Sequence, residues 1–233
     1  MMIPNRELLM GEGEMVLVHK PKGWTSFDVV NKIRCLFHIT KVGHAGTLDP
    51  MATGLLIVCT GKKTKAIEQY MHLEKEYIAT MILGARTESY DAETPVIERH
   101  TTEDITEEMV RSTLDQFVGY QTQLPPMWSA AKVDGKRLYK YARKGEDVQR
   151  KPREVFIRSI DVLSVSIPEV RIRVVCNKGT YIRTLVNDLG NRLGCGAYLS
   201  DLERSRLGDF RLSDALTIEE LVQNRDSVMG RVA

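Results

Sequence analysis

Residues 41–59 read KVGHAGTLDPMATGLLIVC. Gly43, Gly46 and Gly54 open backbone shapes that residues with a Cβ resist. Pro50 stiffens the position after Asp49 and biases Asp49 itself toward an extended conformation. The run GLLIVCT that follows is continuously apolar and stops before Gly61, the pattern of a buried strand. The stretch therefore holds one carboxylate, Asp49, on a defined loop at the mouth of a buried strand. The plain alternative is an aspartate that hydrogen-bonds only its own turn, as Asx residues do.

Outward from that loop, strands and helices are interspersed. MVLVHKPKGW, residues 15–24, reads as a strand running into a Pro/Gly turn. TSFDVVNKIRCLF, residues 25–37, reads as a helix. Thr25 or Ser26 caps it, Asp28 suits its first turn, and Val29, Ile33, Leu36 and Phe37 share a face. A short helix is expected over residues 64–73 and a strand over 76–83. Residues 105–119 form a helix with Thr106 as cap and Gly119 at its end. Residues 154–167 and 170–176 have strand character, and 180–195 is helical with Ile182, Leu185, Val186, Leu189 and Leu193 as its apolar stripe. Thr217 and Glu220 make a capping box for a last short helix. No regular βαβ rhythm appears. The fold class expected is α+β, a mixed α/β domain on a largely antiparallel central sheet flanked by helices.

The composition is that of an ordinary globular chain: 233 residues, 42% hydrophobic and 27% charged. No apolar run is long enough to span a membrane. The N-terminus, MMIPNRELLMGEGEM, lacks the basic start and apolar stretch of a secretory signal. Cys35, Cys59, Cys176 and Cys195 form no CxxC pair, which fits reduced thiols and a cytoplasmic location. The five histidines have no zinc-ligand spacing, so no metal is expected. Net charge is only +2, yet residues 127–153 carry nine basic and three acidic residues. That segment is +6 on a body of −4, which suggests a polyanion contact, with a solvated helix face as the alternative.

Other residues could serve chemistry. NKGTYIRT places Tyr181 and Arg183 at a helix start, where the helix dipole disfavours a cation. A compensating anion is expected there, either Asp49 or a phosphate, unless Arg183 lies on a frayed surface turn. An aspartate paired with a cation stays ionised well below neutral pH and could act as a nucleophile. Tyr77 is either strand packing or an aromatic platform for a base. His44 is a turn residue or a ligand contact beside Asp49. Trp128, Tyr139 and Tyr141 interleave with the basic residues of the 127–153 segment, as in nucleic-acid-binding stretches.

Taken together, the chain resembles the TruB family of RNA pseudouridine synthases, and within it the bacterial enzymes acting on uridine-55 of tRNA. KPKGWTS, KVGHAGTLDPMATGLL, EKEYIATMILGARTES, LPPMWSAAKVDGKRLYKYARKG, NKGTYIRTLVNDLG and GAYLSDLERSRLGDF fall in the family's order, across about residues 15–217. The resemblance implies that Asp49 is the catalytic aspartate, that Tyr77 stacks on the target base and that Arg183 pairs with the aspartate. It places His44, Tyr181 and Leu202 in the pocket lining and Lys20 with Pro21 in an early structural motif. The basic stretch of about residues 125–153 resembles an insertion that closes over the tRNA stem-loop, with Lys132, Lys136, Arg137, Lys140 and Arg143 as RNA contacts.

The resemblance also implies a single catalytic domain over residues 1–233, without the extra C-terminal PUA-like RNA-binding domain of larger bacterial members. It implies no metal or organic cofactor. The partner implied is the T-arm stem-loop of tRNA, with no membrane, no protein partner and a monomeric state. One departure is local: where the family commonly reads T-x-T-x-D-x-x-G, this chain has TESYDAET, with Asp91 kept and Ser89 and Thr94 replacing a threonine and the glycine.

The reaction so implied breaks the N-glycosidic bond of a uridine, turns the base and rejoins it through carbon. The target must leave its stack, which calls for a pocket and an aromatic surface. A second reading is an RNA-binding folding module with secondary catalysis, and a third is a related enzyme acting on guide-directed rRNA. A lone carboxylate beside a polyanion favours the first, because pure binding has no use for it.

Overall fold

A computed structural model describes residues 13–229; most of the N-terminal stretch read for a secretory signal lies outside the described residues. The chain forms β1 (Met15–Lys20), α1 (Ser26–Phe37), β2 (Val42–Ala45) and β3 (Thr53–Thr60). A 3-10 segment, Gly61–Ala66, leads into α2 (Ile67–Met71), then β4 (Lys75–Leu83), β5 (Ala85–Thr87) and β6 (Val96–Arg99). Next come α3 (Glu107–Asp115), β7 (Gly119–Gln123), β8 (Lys132–Val133), β9 (Lys136–Arg137) and α4 (Tyr139–Ala142). The chain continues through β10 (Arg153–Ser166), β11 (Glu169–Cys176), α5 (Ile182–Arg192), β12 (Ala197–Leu207), β13 (Phe210–Arg211) and α6 (Ile218–Met229). Two compact units result: residues 1–77 with 203–233, and residues 78–202. Strands β4 and β12 each begin in one unit and end in the other.

In the first unit, β3 is the centre. It pairs antiparallel with β1 and β2, and parallel with β12 at Thr53 and Gly54. Leu56 and Val58 point to one side, into a cluster with Val16, Val18 and the apolar face of α1: Val29, Val30, Ile33, Leu36 and Phe37. Leu55, Ile57 and Cys59 point to the other, against Ala45 and Leu207. Burial on both faces is why this strand reads as an unbroken apolar run. The α1 helix starts at a full capping box between Thr25 and Asp28 and ends at His38, whose φ is 50°. The capping box expected for α6 is also formed: Thr217 N–H donates to Glu220 at 2.8 Å, and Glu220 N–H to Thr217 Oγ1 at 3.1 Å.

In the second unit, β10 lies between β11 and β7, antiparallel to both. The strand order there is β12-β4-β11-β10-β7. Thr106 caps α3 by accepting from Met109 N–H, as its sequence indicates. The α5 helix buries Ile182, Leu185, Val186 and Leu189, and also Arg183 and Thr184.

The fold class is the α+β arrangement expected, on a mixed central sheet. Two elements differ from expectation. The helix expected over 64–73 is a 3-10 segment followed by the one-turn α2. Strand β12 carries no expectation at all, because the charged run SDLERSR masks it as a polar segment. Leu199, Leu202 and Leu207 are buried, and Arg204 occupies an inward position as well. All four cysteines are free, with Cys35 exposed and the other three buried. Burial pushes the Cys59 thiol up to about 11, so it is an inert core group. Among the described residues no helix is long and apolar enough to cross a membrane.

Candidate active site

In the first unit the loop carrying Asp49 is fastened from three directions. Ser26, in the first turn of α1, grips Leu48: its Oγ accepts from Leu48 N–H at 2.9 Å and donates to Leu48 C=O at 3.3 Å. Lys20, fully buried at the end of β1, donates Nζ to the carbonyls of Trp24 at 2.6 Å, Pro21 at 3.0 Å and Pro50 at 3.4 Å. Gly23 N–H also donates to Pro50 C=O at 2.8 Å. Asp49, half-buried, thus sits between two residues whose backbones are held from outside the loop, and Ala52 N–H closes the turn on Asp49 C=O at 3.1 Å.

Arg204 supplies the third fastening. It is buried, and donates Nε to Leu55 C=O at 2.8 Å and Nη2 to Gly46 C=O at 3.1 Å. Gly46 has φ +83°, and a Cβ at Gly54, φ +110°, would meet the Arg204 backbone at 2.5 Å. Both glycines are therefore required by backbone shape or close approach. His44, on β2, stands near this cation. Burial first, and the Arg204 charge second, hold its pKa below the ordinary value of 6.5. Its Nδ1 is buried with no hydrogen-bond partner among the described residues. Tyr77, on β4, is buried. Lys20, His44, Asp49 and Tyr77 all belong to this unit, and Arg204 is the residue the sequence reading passed over.

In the second unit Arg183 is buried in the first turn of α5. Its Nη1 lies 3.1 Å from Asp91 Oδ2 and donates to Ser89 C=O at 3.2 Å, and its Nη2 donates to Trp128 C=O at 2.9 Å. Asp91 is fully buried, and its Oδ1 accepts from Ser89 Oγ and from Glu93 N–H at 3.0 Å. Among the described residues no hydrogen bond reaches Oδ2, so Arg183 holds that oxygen by charge. The expectation of an anion near Arg183 named Asp49 or a phosphate; Asp91 is an anion that it did not name. The TESYDAET departure is also explained. Ser89 Oγ and Thr94 Oγ1 lie 2.8 Å apart, and Ser89 N–H donates to Thr94 Oγ1 at 3.1 Å, so the two replacements close the turn on each other.

Tyr181 is the N-cap of α5 and is held by its backbone. Its N–H donates to Gln123 Oε1 at 2.9 Å, and its C=O accepts from Gln123 Nε2 at 3.2 Å. Gln123 is buried and was not singled out in the sequence; a buried amide at a strand end leaves little trace in the pattern. Leu202 is buried on β12. Of the basic residues, Lys132 lies on β8, Lys136 and Arg137 on β9, Lys140 on α4 and Arg143 at its end. Among the described residues no three His, Cys, Asp or Glu side chains converge as metal ligands would. The chemistry on offer is that of a partly exposed carboxylate on an immobilised loop, a histidine biased to its neutral form, and a buried guanidinium.

Proteins of known family resemble this chain along most of its length. Residues 34–182 match the model of the TruB family pseudouridylate synthase N-terminal domain, and residues 183–228 that of the tRNA pseudouridylate synthase B C-terminal domain. The tRNA pseudouridine synthase B of Phocaeicola vulgatus is 53% identical over 216 residues, covering 89% of this chain and 91% of that protein. The tRNA pseudouridine synthase B of Bacteroides fragilis is 51% identical over 213 residues, covering 88% and 91%. A chain of a Cbf5-Nop10-Gar1 complex of known structure shares the fold, with a TM-score of 0.77 at 29% identity. That match covers 99% of this chain and 59% of the other, so this chain spans less than two thirds of that protein. On these grounds the chain belongs to the TruB family of pseudouridylate synthases.

Proposed function

We propose that the protein converts uridine-55 in the T-loop of tRNA to pseudouridine, with Asp49 as the acting carboxylate. The observation that carries this reading is the near full-length identity, above 50%, to proteins named tRNA pseudouridine synthase B. The fastening of Leu48 and Pro50 on either side of Asp49 supports it, since a reacting group gains from being held in place before substrate arrives.

The reaction is an isomerisation and balances within the substrate. The C1′–N1 bond breaks, the base turns, and a C1′–C5 bond forms; C5 loses a proton and N1 gains one. Asp49 acts beside the ribose, by attack on C1′ or C6 or through a glycal, and each route ends in the same product. Tyr77 stacks on the base drawn out of the T-loop, at an unstacking cost of a few kcal/mol offset by contacts around the loop. Arg183 supports the charge of Asp49, and His44, Tyr181 and Leu202 line the pocket. The protein works as a monomer, with residues 125–153 as the RNA-contacting insertion.

The test is turnover on an unmodified tRNA transcript, with pseudouridine mapped by carbodiimide-primer extension and Asp49→Asn in parallel. A new stop at uridine-55 with the wild type alone is expected. Asp49→Asn should keep tRNA affinity within about tenfold, about 1.4 kcal/mol. Turnover by Asp49→Asn would remove Asp49 from the role, and tight tRNA binding without any new stop would favour the folding-module reading.

A further inference from the structure

The nine cations of residues 127–153 are not equivalent. Lys136 Nζ stands 3.8 Å from the centre of the Tyr141 ring and 3.9 Å from Glu146. The Arg143 guanidinium lies 5.4 Å from the Tyr139 ring centre, and Lys144 Nζ is 3.8 Å from Glu146. Each of these cations has a partner within the insertion itself. Lys132, Lys151 and Arg153 are exposed, and their side chains have no hydrogen bond, ion pair or ring contact among the described residues. Together with Arg150 they wall a cleft of about 310 Å³, floored by Pro125 and the buried Leu138. Asp134 is the single acid in that lining.

We propose that this cleft seats one backbone phosphate of the substrate RNA, and that Lys132, Lys151 and Arg153 are its ligands. The inference rests on the reading that the substrate is RNA. Two stretches well separated in sequence, 132 and 150–153, bring their cations to one cavity, so the site is made by folding and not by a charge run. Arg150 is the fixed wall: its Nη1 donates to Pro125 C=O at 3.1 Å and its Nη2 lies 3.6 Å from Asp147, while its Nε is buried without a hydrogen-bond partner among the described residues. The other three are unencumbered and able to close on an anion. A phosphodiester satisfies such a set through charge-assisted hydrogen bonds.

Two triple variants that each remove three charges separate direct contact from general attraction. Lys132→Gln/Lys151→Gln/Arg153→Gln removes the three exposed cations of the cleft and leaves Arg150, and Lys136→Gln/Arg143→Gln/Lys144→Gln spares all four. Filter binding of tRNA across a salt series reads the slope of log K against log salt, to which each phosphate contact contributes about 0.7–0.9. The cleft variant should lose about one phosphate's worth of slope more than the other. Equal slopes for the two variants would overturn the proposal. A second measurement guards against misfolding: a series of T-arm stem-loops, each with one neutral methylphosphonate, bound to the wild-type protein. One linkage should weaken wild-type binding and have no effect on the cleft variant; no such linkage would count against the cleft. Titration with inorganic phosphate at fixed ionic strength separates a site for RNA phosphate from one for the free ion: saturation that leaves tRNA binding unaffected would also overturn it. Since these readouts are of binding, a slope difference without pseudouridine formation would uphold the cleft and sink the catalytic reading. Pseudouridine formation with equal slopes would do the reverse.

Discussion

The Arg183 guanidinium lies 3.1 Å from the Asp91 carboxylate, with both side chains withdrawn from solvent. Removing one member of a buried pair strands the other charge, which costs about 3–5 kcal/mol. Arg183→Met, which leaves the buried Asp91 carboxylate without its cation, should therefore lower the urea midpoint of the protein sharply. The double variant Asp91→Leu/Arg183→Met should be less destabilised than the sum of the two single changes. Additive losses would mean that the two charges do not stabilise each other.

Gln123 holds Tyr181 by both its backbone N–H and its C=O. Gln123→Ala leaves two polar groups at the start of α5 without those partners, at about 1–3 kcal/mol each. If Tyr181 must be placed for turnover, single-turnover rate should fall about tenfold or more while tRNA affinity changes less than about threefold, a split that a purely structural loss would not produce. Gln123→Glu keeps the acceptor and loses the donor, so it should fall between the two. Parallel loss of rate and affinity would contradict the positioning role.

The titration of His44 is set by burial first and by Arg204 second, both lowering its pKa. Between the folded value and 6.5 the unfolded chain binds a proton that the native state refuses. The His44 contribution to stability therefore rises with pH through that window and is complete above 6.5. Arg204→Met should move the imidazole midpoint, read by NMR, upward toward 6.5, whereas Arg204→Lys should leave it low. An unmoved midpoint in Arg204→Met would mean that burial alone sets it.

Two glycines in the same unit predict different costs for one added methyl. At Gly54 the backbone has φ +110° and the new Cβ would stand 2.5 Å from Arg204 N and O. At Gly23, φ +82°, nothing among the described residues lies within 4 Å of an added Cβ. Gly23→Ala should cost only the left-handed backbone penalty, about 1–2 kcal/mol. Gly54→Ala should cost several times more, because β3 and β12 must separate. Comparable Tm values for the two variants would contradict this.

Local features of the chain were readable from sequence because local physics produces them. The capping residues and apolar face of α1, the buried run of β3 and the box at Thr217 and Glu220 depend on neighbours a few residues away. So did the position of Asp49 on a Gly/Pro loop before a strand, and the family resemblance that the matched models bear out.

Residues whose partners lie far along the chain were not readable in this way. In Arg204 the sequence shows a charge within a charged run, but the fold buries it because the carbonyls of Gly46 and Leu55 accept hydrogen bonds from its guanidinium. That burial gives β12 an inward residue two positions after Leu202, in the strand that sequence alone left without an assignment. In Lys136 and Lys132 it shows two similar lysines four residues apart, and folding places one over a tyrosine ring and the other in an open cleft. The sequence by itself determined which residue types are available and where strands and helices start. The tertiary structure decided which charges are neutralised, buried or left to bind, because desolvation and pairing depend on distances that only the folded chain defines.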